Sequence, residues 1–418
     1  MTPVVYAAVW AACGLLAAAV LPLVRRRRLV WVAPLAAGLL GLLASVSDRW
    51  PGPTATAGYG ASLALGHPGA GLLVAAGVAL AATFALAPRL DGGEVVAAAM
   101  TGAAVVVVLA ATVPIIWAVA VAAAVAAFAV RWIAATPGRA SLAAGRIAGL
   151  GAAALLAAAA FIPRAGPAID TRTALAGGLL AGGVCAILAI VPLGGWAGAA
   201  VSALRGADVA PWAMLVAPAI IFTTGLFLPG LPAGARTPLA NTLLGLGLVT
   251  SLYNGVQALR DRTAAYGRVL IADLALAAAA LGTLHSPSQR GAYLIVLSHL
   301  CAAPLLLNPA REGLGRQRRM AWLSLVTVPA LPGFWGRFLC LQAFSAAGNR
   351  VSTPAYVAVA LLTAVAVRGL AGRGAVVQPD TPPARVGGRA LGWLVVAALF
   401  GLGLAPAPIA AHVFGVAF

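Results

Sequence analysis

Apolar runs of about twenty residues follow one another along almost all of this chain, separated only by short turns. That pattern restricts the fold more than any single motif does. A run of this length covers about 30 Å as a helix, the thickness of a bilayer's hydrocarbon core, and a backbone inside lipid must satisfy its own hydrogen bonds. Hydrophobic residues make up 62% of the 418 and charged ones only 9%, and mean hydropathy is +1.00. A soluble chain of this length cannot enclose so much apolar side chain. The expectation is an all-α integral membrane protein with no room for a soluble domain.

Fourteen runs are long enough to cross: 4–24, 29–47, 69–88, 93–112, 114–134, 146–163, 172–192, 210–229, 237–259, 267–285, 290–308, 320–343, 354–371 and 389–412. The piece 195–206 is too short and reads as a half-helix. The loop 48–68, rich in Gly, Pro, Ser and Thr, is expected to be irregular, and 373–388 is linker-like. Three segments follow: N-terminal helices over 1–92, a core over 93–345 and C-terminal helices over 346–418.

The net charge of +18 does not mark a nucleic-acid binder, because lysine is absent and the 27 arginines sit mostly in the turns. Twenty of them fall in loops after odd-numbered runs and six after even-numbered ones, with Arg337 left over. By the positive-inside rule, the odd loops face the cytoplasm and both termini face outward, so the expected location is the cytoplasmic (inner) membrane. The arginine turns can also hold anionic lipid headgroups. Arg25–Arg28 follow the first run instead of preceding it, which argues against a cleaved signal peptide.

One run is interrupted by Pro329-Ala330-Leu331-Pro332-Gly333-Phe334-Trp335-Gly336-Arg337. Proline removes a backbone donor and glycine loosens a helix, so the freed carbonyls must face protein or water. A second break is expected near 192–210, beginning at Pro192. Arg337 inside a membrane run is either part of a charge relay or a permanent cation anchoring carbonyls at the break; a guanidinium does not titrate usefully, which favours the anchor.

Three motifs give a resemblance. Val191-Pro192-Leu193-Gly194-Gly195-Trp196 followed by Ala210-Pro211-Trp212-Ala213-Met214 is similar to "PFHTWLPDA…APTPVSA". Tyr293–Leu307 (YLIVLSHLCAAPLLL) is similar to "LLNHALFKALLFL", and Leu323–Phe338 (LSLVTVPALPGFWGRF) to "LSLAGIPPLAGFWGKF". In this order they resemble the antiporter-like membrane subunits of respiratory complex I, Mrp antiporters and membrane-bound hydrogenases. The resemblance covers roughly 95–345. It implies an inverted-repeat fold with broken helices, in which Glu and Lys side chains at the breaks pass protons across the bilayer.

The departures from that pattern are large. No Asp or Glu lies between Glu94 and Asp170, so the fifth-run glutamate is missing. The family's lysines match Ile187, Phe222 and Ala303, and its "PFHTW" histidine matches Gly194. His299 and Arg337 survive from the polar set, and Asp273 joins them as the carboxylate deepest in a run. His299 suits proton transfer but equally a hydrogen bond to a neighbouring helix. Asp273 is expected near the cytoplasmic edge, in a local pair with Arg268 or in contact with water. Asn254 is placed to hydrogen-bond between helices. Asp91, Glu94 and Asp208 fall in loops or at helix ends.

No catalytic set, metal-ligand spacing or cofactor site emerges, and the four cysteines lie singly in apolar runs. The expected role is therefore a non-catalytic subunit of an NADH-quinone oxidoreductase-like complex, with a reduced or lost proton path and other membrane subunits as partners. A cation/proton antiporter subunit, an ion-coupled bicarbonate-uptake subunit and a purely structural paralogue are the alternatives.

Overall fold

The computed structural model describes residues 3–20, 32, 34, 36–37, 55–57, 61–63, 65–88, 90–135, 139–162, 171–193, 196, 206–261, 264–309, 313–371 and 386–406. In chain order the helices are α1 (Pro3–Val20), α2 (His67–Leu86), α3 (Gly92–Ala110), α4 (Pro114–Ala135), α5 (Arg139–Phe161), α6 (Thr171–Ile187) and α7 (Gly206–Gly230). They continue with α8 (Ala233–Arg260), α9 (Ala265–Gly282), α10 (Ser286–Leu306), α11 (Gly315–Ser324), α12 (Pro332–Ala347), α13 (Asn349–Leu370) and α14 (Val386–Leu404). Eight helices among the described residues are long and apolar enough to cross a membrane. The run at 29–47 and the half-helix at 195–206 lie almost wholly outside the described residues. Every other expected crossing falls on a helix.

Two short strands, β1 (Ala55–Ala57) and β2 (Ala61–Leu63), pair antiparallel within the loop read as irregular. Leu63 also bridges to Ala111 at the end of α3, which ties this hairpin to the bundle.

Both helix breaks are present, and each turns on an alanine in the left-handed region: Ala189 (φ 60°) and Ala330 (φ 69°). An L-residue there costs about 1 kcal/mol, so the surrounding packing must hold it. The second break differs from the expected 329–336. The helix already ends at Ser324, and Pro332 opens α12 at its N1 position. Proline is favoured there because the N–H it lacks has no intrahelical partner. Gly333 and Gly336 therefore lie inside α12, where their role is close packing. A Cβ on Gly336 would come 2.7 Å from the Ile295 nitrogen, and one on Gly291 of α10 would come 2.8 Å from the Cys340 nitrogen. These two glycines let the α10 and α12 backbones touch.

The ten residues of α11 rise about 15 Å. Its first turns carry Arg316, Arg318 and Arg319, and the second break follows directly at its far end. Helix α9 is enclosed by α8, α10, α12 and α13 and is buried along nearly its whole length. Helices α5, α13 and α14 are peripheral, and Leu150, Val130 and Leu394 project outward, as lipid-facing side chains do.

Several turn arginines cap helix ends. Arg318 donates to the carbonyls of Leu305 and Asn308 at the end of α10, and Arg368 to those of Leu259 and Ala258 at the end of α8. A cation at a helix C-terminus satisfies orphan carbonyls and the negative end of the dipole together.

Candidate functional site

The second break brings together the three residues singled out as pathway candidates. Arg337, one turn into α12, points back across the break. Its Nη1 donates to the Leu325 carbonyl at 2.7 Å and to Thr327 Oγ1 at 2.9 Å. Its other edge meets Asp273 of α9 in a two-point pair, Nε to Oδ1 at 2.9 Å and Nη2 to Oδ2 at 2.7 Å. Asp273 Oδ2 also lies 2.9 Å from Nε2 of His299 on α10. Asp273 and Arg337 are each 1% exposed and His299 3%. Three helices thus converge on one dry charged cluster.

An ionised carboxylate only accepts, so the His299 proton facing Asp273 sits on Nε2. The other ring nitrogen, Nδ1, lies 3.3 Å from the Tyr266 hydroxyl, which donates to it when the ring is neutral. Arg337 and Asp273 balance each other in charge. His299 sets an imidazole, which can be neutral or cationic, directly against that carboxylate. The polar chain continues on the far side, where the Thr363 hydroxyl of α13 is 2.7 Å from Thr327 Oγ1. From Tyr266 to Thr363 the network links α9, α10, α12, the break and α13.

The position of Asp273 corrects the expectation from sequence. It does not pair with Arg268, and it is not at a wet edge. Five residues of helix turn a side chain by about 140°, so Arg268 and Asp273 face different neighbours. Arg268 instead donates to Asn254 Oδ1 on α8 at 3.1 Å, the interhelical bond expected of Asn254. Arg337 holds a carbonyl at the break and a buried carboxylate at once. His299 is bonded to the neighbouring helix through Asp273. Tyr266, Thr327 and Thr363 carried no signal in the sequence, because hydroxyls are common in such helices.

A second charged cluster was not legible in advance. Arg131, near the end of α4, donates through Nε to Asp208 Oδ1 at 2.7 Å and through Nη2 to Asp91 Oδ2 at 2.8 Å, with Glu94 Oε1 3.8 Å away. Asp91 and Glu94 form a reciprocal capping box at the start of α3. That D-x-x-E spacing is visible in the sequence; its convergence with Arg131 and Asp208 from other helices is not.

The positions matched to the family's lysines are hydrocarbon in the interior: Ile187, Phe222 and Ala303 are all buried. Among the described residues, no group of three His, Cys, Asp or Glu side chains is placed to hold a metal ion.

Solved structures share this fold. A chain of respiratory complex I from Thermus thermophilus with bound NADH superposes with a TM-score of 0.83 at 17% identity, over 99% of this chain and 98% of that one. A chain of the membrane-bound sulfane sulfur reductase, an archaeal respiratory membrane complex, gives 0.82 at 15% identity, over 97% and 96%.

The chain has the antiporter-like membrane fold.

A chain of the Mrp complex from Dietzia sp. DQ12-45-1b gives a TM-score of 0.84 at 16% identity, over 99% of this chain but only 52% of that longer one. No protein-family model and no curated protein sequence matches the chain. At these identities the likeness establishes the fold of a multi-pass membrane protein, and the chemistry rests on the side chains described above.

Proposed function

We propose that this chain is an antiporter-like membrane subunit of a proton-coupled oxidoreductase complex of the NADH-quinone oxidoreductase type, with a reduced proton path. It resides in the cytoplasmic membrane with its arginine-rich odd loops inside and both termini outside. Redox chemistry belongs to partner subunits, and this chain contributes membrane scaffold and a protonatable centre at the second helix break.

One observation carries the reading. A dry Asp273–His299–Arg337 cluster stands at one helix break, while Ile187, Phe222 and Ala303, matched to the family's lysines, are buried hydrocarbon. Buried charge in a bilayer is costly and is retained where it serves a path or a fixed pair. In this cluster Arg337 supplies a constant positive charge and Asp273 a constant negative one. A proton reaching His299 creates an imidazolium against Asp273, and departure of that proton restores the neutral ring.

The intact complex reconstituted in proteoliposomes tests this. Replacing His299 with Gln is expected to lower protons translocated per electron while leaving electron transfer in place. An unchanged ratio with normal assembly would overturn the reading. The purified chain alone is expected not to conduct protons at the rates of its charge-rich relatives, and fast potential-driven flux through it would contradict the reduced path.

A further inference from the structure

The two helix breaks are built from opposite chemistry. At the first, α6 ends at Ile187 and its last carbonyls need partners. Every one of them has a partner inside the protein. Val184 accepts from the Leu188 N–H at 2.9 Å, and Cys185 from the Ile190 N–H at 2.8 Å. Ala186 accepts from Trp196 Nε1 at 3.1 Å, and Ile187 from Trp212 Nε1 at 2.9 Å. On the donor side, the Val191 N–H reaches Thr250 Oγ1 of α8 at 2.8 Å. Residues 187–190 are fully enclosed.

A third indole completes the cluster. Trp132 of α4 donates to the Asp208 carbonyl at 2.8 Å, and its ring centre lies 5.3 Å from that of Trp196 and 6.4 Å from that of Trp212. Trp196 and Trp212 are 5.8 Å apart. Edge and tilted contacts at these distances add to the burial of three large rings. Asp208, held by Arg131, sits one helical turn before Trp212 and fixes the start of α7.

We propose that Trp196 and Trp212 form a proton-tight seal at the first helix break, so that only the second break of this chain can carry a protonic charge. This deepens the reduced path proposed above and rests on that reading for its functional meaning. The physical argument is about donors. A carbonyl freed in a membrane helix recruits water, and water relays protons because it both donates and accepts. An indole N–H donates but has no lone pair with which to accept. Each tryptophan therefore occupies the site a water would take and ends any hydrogen-bonded chain that reaches it. The neighbouring Ile187, where the family has a lysine, offers no titratable side chain to the carbonyls of this break.

Hydrogen–deuterium exchange on the purified full-length protein in nanodiscs tests the seal. The wild type is expected to protect the amides of Leu188, Ile190 and Val191, with Cys185 inert to a water-borne maleimide. Replacing Trp196 and Trp212 together by Phe keeps the rings and removes both N–H groups. Exchange at 188–191 is then expected to rise about tenfold, with amides of α9 and α10 unchanged. Unaltered protection in a folded double variant would overturn the proposal, and so would rapid Cys185 labelling in the wild type, which needs no variant. His299→Gln at the second break should leave exchange at 188–191 unaffected, so a failure of the proton-path reading stays distinguishable from a failure of the seal.

Discussion

Asp273 and Arg337, separated by 64 residues, meet through two parallel hydrogen bonds of 2.9 and 2.7 Å in a site from which solvent is excluded. A bidentate guanidinium–carboxylate pair of this kind fixes two helices in register as well as in charge. It joins the central helix α9 to the second half of a broken one, and His299 of α10 completes the cluster through the same carboxylate.

Removing one charge of this pair should cost far more than removing both. Asp273→Asn leaves a buried guanidinium without its counter-charge and is expected to destabilise by about 3–5 kcal/mol. The double change Asp273→Leu with Arg337→Met should recover much of that loss, because no buried charge then remains. Unfolding midpoints in detergent for Asp273→Leu, Arg337→Met and the double variant supply the cycle. Additive losses would refute the coupling.

His299→Gln is expected to lower proton translocation by about a hundredfold while shifting stability by about 1–2 kcal/mol. Glutamine can still donate to Asp273 but cannot take up a proton. The pair of measurements, translocation in vesicles and thermal unfolding, separates a protonic role from a packing one.

Gly336→Ala should separate α10 from α12. The new methyl would meet the Ile295 backbone nitrogen at 2.7 Å, an approach that a backbone cannot yield without the helices moving apart. A loss of about 1–3 kcal/mol is expected. Because Arg337 is the next residue, the Asp273 contact should weaken as well, and a cysteine cross-linking ladder between α10 and α12 would register the displacement.

Arg131→Met should destabilise the junction of α3, α4 and α7 by about 3–5 kcal/mol, since it leaves the buried Asp208 and Glu94 facing one another without their cation. Arg131→Lys should recover only part of the loss. A single ammonium cannot reproduce the fork that reaches Asp208 with Nε and Asp91 with Nη2. Complex abundance in membranes and unfolding midpoints give the readout.

Much of this architecture was open to a reader of the chain. Apolar length marks each crossing because lipid permits nothing but a self-satisfied helix, and proline and glycine marked the breaks because they disrupt the same hydrogen bonds. Even so, the second break starts at Leu325, ahead of its prolines. The carbonyl that Pro329 leaves free is that of Leu325, four residues earlier; that Arg337 reaches back to hold it is tertiary.

The sequence by itself determined the solvent of this protein and the helices long and apolar enough to cross it. Only the tertiary structure decided what its charges do. Asp273 pairs with a residue 64 positions away instead of one five positions away, Arg131 gathers three carboxylates from two other helices, and Trp196 and Trp212 close over carbonyls of α6. Helical periodicity is local and readable along the chain. Partners across helix interfaces are selected by crossing geometry and by the cost of leaving a polar group unpaired in a dry interior, and neither is encoded in the spacing of one segment.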